Sequence, residues 1–169
     1  YIIDLEPVES RYTAQWKKFI PQELSRLTND KVITVSGGNV PQTTTPGAFL
    51  NFAGTNVYKS QQSIDVAKLF ADNKVKAGDH FVYTDAWNPS IIQLQYMRQL
   101  LQVDCKIHAL WHAGSYDPQD FLGRLIGDAD WVRNTERAMF DVFDHNFFAT
   151  EFHIDMFTEA FKDTGKYLG

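Results

Sequence analysis

Five short apolar runs, separated by stretches with helical spacing, constrain this chain more than any other feature. The runs are residues 1–5 (YIIDL), 31–36 (KVITVS), 80–85 (HFVYTD), 106–111 (KIHALW) and 146–150 (NFFAT). Each is rich in β-branched or aromatic side chains and closes in polar or turn-forming residues, as buried strands do. Between them apolar residues recur at intervals of three and four, as at Tyr12, Trp16, Phe19, Ile20, Leu24 and Leu27, or at Ile91, Leu94, Met97, Leu100 and Leu101. That periodicity marks amphipathic helices. Parallel strands need a crossover between them, so strands alternating with helices imply a mostly parallel sheet with helices on both faces. The expectation is one α/β, Rossmann-like domain over residues 1–169, built on about five strands. No internal repeat, low-complexity tract or break in composition competes with it.

Local chemistry refines this order. Pro21 interrupts the first helical stretch, which starts at Ser10, and predicts a kink or two short helices. Residues 39–56, rich in Thr, Gly, Pro and Asn, read as a long loop, which in a compact domain is uncommon and often functional or mobile. Helices are predicted over 60–73 and 90–103. Past the fourth strand, Asp117-Pro118 begins a short helix through Leu125, residues 128–133 form a turn or short helix, and Thr135 caps a helix reaching Phe143. The last helix covers 151–161 and ends at Asp163-Thr164-Gly165.

Composition bounds the function classes. The chain has 44% hydrophobic and 14% aromatic residues, enough to bury a core without staples. Its single cysteine, Cys105, excludes an intramolecular disulfide framework and a Cys-based zinc cluster. Cys105 itself reads as a small apolar residue entering a strand. A formal charge of −5 gives no basic footprint for nonspecific nucleic-acid binding. No run approaches the length of a membrane span, so a soluble, cytoplasmic protein without a membrane partner is expected. The start at Tyr1, already inside a strand-like run, reads as the loss of an initiating methionine or short leader.

The stretch KIHALWHAGSY, residues 106–116, is where a site is expected. It begins as a strand and breaks at His112-Ala113-Gly114-Ser115 into residues that hydrogen-bond, titrate and turn. In open α/β sheets ligands bind outside the carboxyl ends of the strands. If all five strands are parallel, those ends gather a polar set: Asp4 and Glu6, Gly37 and Gly38, Asp85 with Trp87 and Asn88, His112 with Gly114 and Ser115, and Thr150 with Glu151. Each has a bland alternative: Asp85 shapes a turn, Thr150 caps the last helix, Asp4 accepts backbone N–H groups. His112 is the strongest single candidate, since an imidazole titrating near neutrality can donate to a sugar hydroxyl or phosphate oxygen, or take a proton. Its bland alternative is a packing residue beside Trp111. Gly114 beside it would let a ligand approach the backbone. Gly37-Gly38 lacks the dinucleotide and phosphate-loop patterns, and a plain turn explains it equally well. His108 shares a face with His112 only by period-two counting, which argues against a metal pair, and His153-Ile154-Asp155 lies in a helix. No G-x-S-x-G or H-E-x-x-H motif is present.

Three segments together resemble the N-terminal half of a GT-B glycosyltransferase of the retaining, family-4-like type. They are HFVYTDAWNP, KIHALWHAGS and TERAMFDVFDHNFFATEF, and the resemblance covers the chain from about Asp79 onward. It implies that His112 reaches the transferred sugar and that Asp85, Trp87 and Asn88 position or polarise the acceptor, with Trp87 as a stacking surface. Asp4 and the Gly37-Gly38 turn sit where family members place substrate-contacting loops. The donor is a nucleotide-sugar, a co-substrate rather than a cofactor, held mainly by a second, C-terminal Rossmann-like domain that this chain does not reach. No metal is implied. The acceptor is a small molecule or a polymer; the resemblance extends to bacteriophage-type enzymes acting on a hydroxymethylated base in DNA, to which the acidic balance lends no independent support. Two other classes fit the same residues: a noncatalytic α/β ligand-binding module, and an interaction domain whose Trp and Phe content marks a docking face.

Overall fold

The computed structural model describes residues 1–8, 11–39, 42–127 and 129–162. Each of the five apolar runs contributes a strand: β1 (Ile2–Ile3), β2 (Thr34–Val35), β3 (His80–Tyr83), β4 (Lys106–Trp111) and β5 (His145–Phe148). Six helices alternate with them: α1 (Thr13–Leu27), α2 (Phe52–Ala71), α3 (Ser90–Leu100), α4 (Phe121–Leu125), α5 (Asp130–Val142) and α6 (Glu151–Phe161). The strands form one all-parallel sheet in the order β2-β1-β3-β4-β5. The protein is thus an α/β, Rossmann-like fold, with a strand order common among doubly wound sheets.

Handedness distributes the helices. The step from β1 to β2 runs along the sheet in the opposite sense to every later step, so right-handed crossovers send α1 to one face and α2, α3 and α5 to the other. On the second face α2 packs on α3 and α3 on α5. Beneath them lies the core: Phe81 and Tyr83 of β3, Ile107, Ala109 and Trp111 of β4, Ile91 and Leu94 of α3, and Met139 of α5. Phe157 brings α6 onto the same side, 5.1 Å from Trp111 between ring centroids. Cys105 belongs to this core, and burial pushes its thiol pKa up, as for an inert packing residue.

Several local expectations are corrected. The first helical stretch is not divided in two: α1 is one helix with Pro21 inside it, and the helix formers Gln22, Glu23, Leu24 and Arg26 continue it past the proline. α2 starts at Phe52, well inside the stretch expected to be a loop. Its start signal is Asn51, whose side chain accepts the Gly54 N–H at 2.7 Å; the surrounding Thr, Gly and Asn residues obscure it. Residues 130–142 form one helix, so Thr135 is no cap: its hydroxyl donates to the Trp131 carbonyl one turn back, at 2.7 Å. α3 ends at Leu100, and each strand but β4 is shorter than its apolar run. α6 has the expected bounds, capped by Thr150. Ser10, Asp128 and the helix end at residues 163–165 lie outside the described residues.

Candidate functional site

The sheet reverses its order between β1 and β3. From there the chain leaves β1 for one side and later returns to build β3 on the other, which opens a crevice at the carboxyl ends of the strands. A cavity of about 780 Å³ lies there, within the range of small-molecule sites. Its polar floor comes from strand exits: Glu6 after β1, Asp85 and Trp87 after β3, and His112 after β4. Its walls are aromatic, from Tyr12 and Trp16 at the start of α1, Phe49 and Phe52 at the start of α2, and Phe121 of α4. Three carboxylates (Glu6, Asp85, Asp120) and two cations (Arg11, Lys59) line this space.

The exits of β1 to β4 are fixed by polar side chains carried on α2 and α5. Gln62 of α2, fully buried, donates to the Asp4 backbone carbonyl (2.7 Å), to Asp4 Oδ1 (3.0 Å) and to the Val35 carbonyl (3.0 Å), and accepts from Asn88 Nδ2 (3.0 Å). One amide thereby ties the ends of β1, β2 and β3 together. Glu136 of α5, also fully buried, accepts from the Ser115 N–H (2.6 Å), the Ser115 hydroxyl (2.7 Å) and Trp87 Nε1 (3.0 Å). It sets the β4 exit against the β3 exit and fixes the Trp87 indole. Lys59 of α2 pairs with Asp85 at 3.4 Å and donates to the Trp87 carbonyl, while Asp85 Oδ1 accepts the Trp87 N–H at 3.1 Å. The Lys59–Asp85 pair thus keeps its two charges together where the dielectric is low.

His112 stands at the junction of these exits. Its Nε2 donates to the Thr84 carbonyl at 2.7 Å, since a carbonyl can only accept. A neutral ring then carries its lone pair on Nδ1, for which the described residues offer no partner. The ring lies 5.0 Å from Trp16 and 5.5 Å from Tyr12. Tyr12 is surrounded by the cavity's charges: burial raises its phenol pKa first, Arg11 opposes that rise, and Asp85, Glu6 and Asp120 add to it. Burial likewise raises the Asp120 carboxyl, against the N–H groups of Leu122 and Phe121 that hold it at the start of α4.

Of the residues singled out from sequence, Glu6, Asp85, Trp87 and His112 line the cavity. The others surround it or lie apart. Asp4 is saturated, with Oδ1 accepting from the Tyr58 hydroxyl (2.5 Å) and Gln62, and Oδ2 from the Ser36 hydroxyl (2.6 Å), with Lys17 at 3.5 Å. Asn88 joins Gln62 to the start of α3 through the Ser90 N–H. A side chain at Gly37 would strike the Tyr58 carbonyl, so this glycine allows α2 to pack closely, and Gly38 turns with φ +85°. A side chain at Gly114 would strike Tyr116 and Glu136. Ser115 is held by Glu136. Thr150 accepts the His153 N–H at 3.2 Å as the cap of α6, and Glu151 follows it, exposed, in the first turn. Among the described residues no group of three or more His, Cys, Asp or Glu is arranged to hold a metal ion.

Lys59, Gln62 and Glu136 escape a reading centred on strand ends, yet two of them leave a signal. Tyr58, Gln62, Val66 and Phe70 form one stripe of α2 at intervals of four, and Val132, Glu136, Met139 and Phe143 one stripe along and just beyond α5. A lone polar residue inside such an apolar stripe must be buried and therefore partnered. Comparison with protein-family models, curated proteins and solved structures finds no match to this chain.

Proposed function

We propose that the chain is the acceptor-side half of a glycosyltransferase that moves a sugar from a nucleotide-sugar to a hydroxyl. The observation that carries this reading is the cavity at the strand-order reversal, where Asp85, Trp87 and His112 meet an aromatic wall. Aromatic rings stack on the apolar faces of sugars and carboxylates accept their hydroxyls, so the lining suits a polyhydroxylated acceptor better than a flat apolar one. His112, with Nε2 committed to Thr84, offers Nδ1 to a donor group of the bound sugar or acceptor. Tyr12, Phe49, Leu125 and Trp131 leave an exposed apolar margin around the mouth, which suits a second body closing over it and excluding water.

Two measurements test this. Calorimetric titration of the chain alone with UDP-glucose and GDP-mannose is expected to show no tight binding; submicromolar affinity for either would remove the reason to assign the donor to another domain. In the enzyme completed by its donor-binding domain, His112→Ala is expected to lower turnover at least about 100-fold while circular dichroism and melting stay unchanged. An unaltered turnover, or loss of folded protein, removes His112 from the site.

A second reading, a noncatalytic ligand-binding module, is favoured by one observation. Both Asp85 oxygens are already engaged, by Lys59 and the Trp87 N–H, so Asp85 has little capacity left for proton transfer. Acceptor binding without transfer in the completed enzyme would select it.

A further inference from the structure

Among the described residues, two charged groups in the cavity keep polar atoms unpaired where the other charges there have found partners. Glu6 is only 2% exposed. Its Oε1 accepts from the Thr55 hydroxyl at 2.8 Å, but its Oε2 is buried with no hydrogen-bond donor among the described residues. Asp4, Asp85, Asp120 and Glu136 all use their carboxylates to hold loops and helix starts, so among the described carboxylates Glu6 alone keeps a buried oxygen unused. A glutamate's terminal torsion is soft, so the carboxyl group can turn to present that oxygen to an incoming donor.

Arg11 is the second group. Its guanidinium stacks 4.5 Å from the Phe49 ring centroid and 5.4 Å from that of Tyr12, and makes no ion pair or hydrogen bond with the described residues. The stacking holds the planar fork in place while leaving its N–H edge unpaired. That edge matches two oxygens of a phosphate or carboxylate, which a lysine would meet only as a point charge. The neighbouring cation, Lys59, is already spent on Asp85 and the Trp87 carbonyl.

We infer that the cavity binds a small hydroxylated ligand bearing a phosphate, with the phosphate on Arg11 and a hydroxyl donating to Glu6. As an account of the acceptor this rests on the glycosyltransferase reading, but as binding it stands without transfer. A phosphomonoester on a small sugar fits better than a polynucleotide, because the formal charge of −5 opposes a polyanion and Arg11 supplies a single fork. The stacked rings of Tyr12 and Phe49 then border the sugar as well as the guanidinium.

Calorimetry on the 169-residue chain at near-physiological salt tests this with glucose 6-phosphate, glucose, inorganic phosphate and a short single-stranded DNA as separate probes. Glucose 6-phosphate is expected to bind at least about tenfold more tightly than glucose, with inorganic phosphate competing. Arg11→Gln should bring glucose 6-phosphate down to the level of glucose, and Arg11→Lys should recover only part of the difference. Glu6→Gln should weaken both sugars alike, since it puts an amide where the free oxygen lay. Melting curves confirm that each variant is folded; if Glu6→Gln is not, Thr55→Val, which removes the hydroxyl that orients Glu6, takes its place. Equal affinity for the two sugars, no binding of glucose 6-phosphate, an undiminished preference in Arg11→Gln, or binding of the DNA alone would each overturn the inference. Failure of sugar transfer in the completed enzyme, with this binding intact, would count against the glycosyltransferase reading only.

Discussion

The two faces of β4 are built from alternate residues of one strand and live in different solvents. Ile107, Ala109 and Trp111 are at most 1% exposed, under α3, α5 and α6. On the other face His108 is only half-buried, with His80 of β3 and His145 of β5 beside it and Phe147 54% exposed. The three imidazoles form a ladder across adjacent strands: His80 Nδ1 is 2.7 Å from His108 Nε2, and the His108 and His145 rings stack at 5.0 Å. Parallel sheets usually cover both faces, and with right-handed crossovers the single reversed step leaves only α1 for the histidine side among the helices that join the strands. The difference teaches that strand order, more than strand composition, decides which side of a sheet becomes core.

The largest expected effect is on the covered face. Trp111→Ala removes a fully buried indole packed on Phe143, Phe148 and Phe157, together with its 2.7 Å hydrogen bond to Asn146. Denaturant unfolding should show a loss of about 3–5 kcal/mol, enough to unfold a marginal domain. A loss below about 1 kcal/mol would mean that this face is not the core.

A smaller effect should follow from the ladder through pH. Burial lowers the His108 pKa, and His80 and His145 lower it further, with Asp144 opposing. His153, buried against the Tyr116 hydroxyl at 2.7 Å, is lowered in the same direction by burial and by His112, with Asp117 opposing. For a histidine so depressed, the unfolded chain binds protons that the folded one refuses. Stability is therefore full above the ordinary histidine value and falls as pH drops through it. Melting temperature should decline between pH 7 and pH 5, and His108→Gln should flatten that decline; an unchanged slope would place the acid sensitivity elsewhere, with His153 next in line.

The smallest effect belongs to the uncovered edge of the same face. Phe147→Ser should change stability by no more than about 0.5 kcal/mol, measured in the same unfolding experiment. A loss of several kcal/mol would show that something covers this face in solution and would erase the contrast between the two sides.

Local sequence signals differ in how far they survive into the fold. The run KIHALW announced β4 with its bounds intact, because a strand with one packed face must alternate, and this one does. The Thr150 cap announced the start of α6. The start of α2 stayed hidden because Asn51 is one of many turn-forming residues around it, and Thr135 misled because a hydroxyl that caps a helix can equally return to a carbonyl one turn back. At the candidate site, strand-end logic reached Asp85, Trp87 and His112. It could not separate Asp4 from Glu6, two acidic residues at the same strand exit, because whether a carboxylate is saturated depends on side chains far away in sequence. Tyr58 and Gln62 on α2 fill Asp4, and among the described residues only Thr55 reaches Glu6.

By itself, the sequence determined the alternation of strands and helices, the parallel sheet and the gathering of polar residues at one end of it, since these follow from local periodicity and the connection rules for parallel strands. Tertiary structure alone decided the strand order, and with it the crevice between β1 and β3, and which polar groups at the strand ends remain without partners. The physical reason is that hydrogen-bond satisfaction is settled by contacts between distant segments: Gln62 and Glu136 acquire their roles only when α2 and α5 close over the sheet, and Arg11 and Glu6 stand out only once every neighbouring charge has been paired.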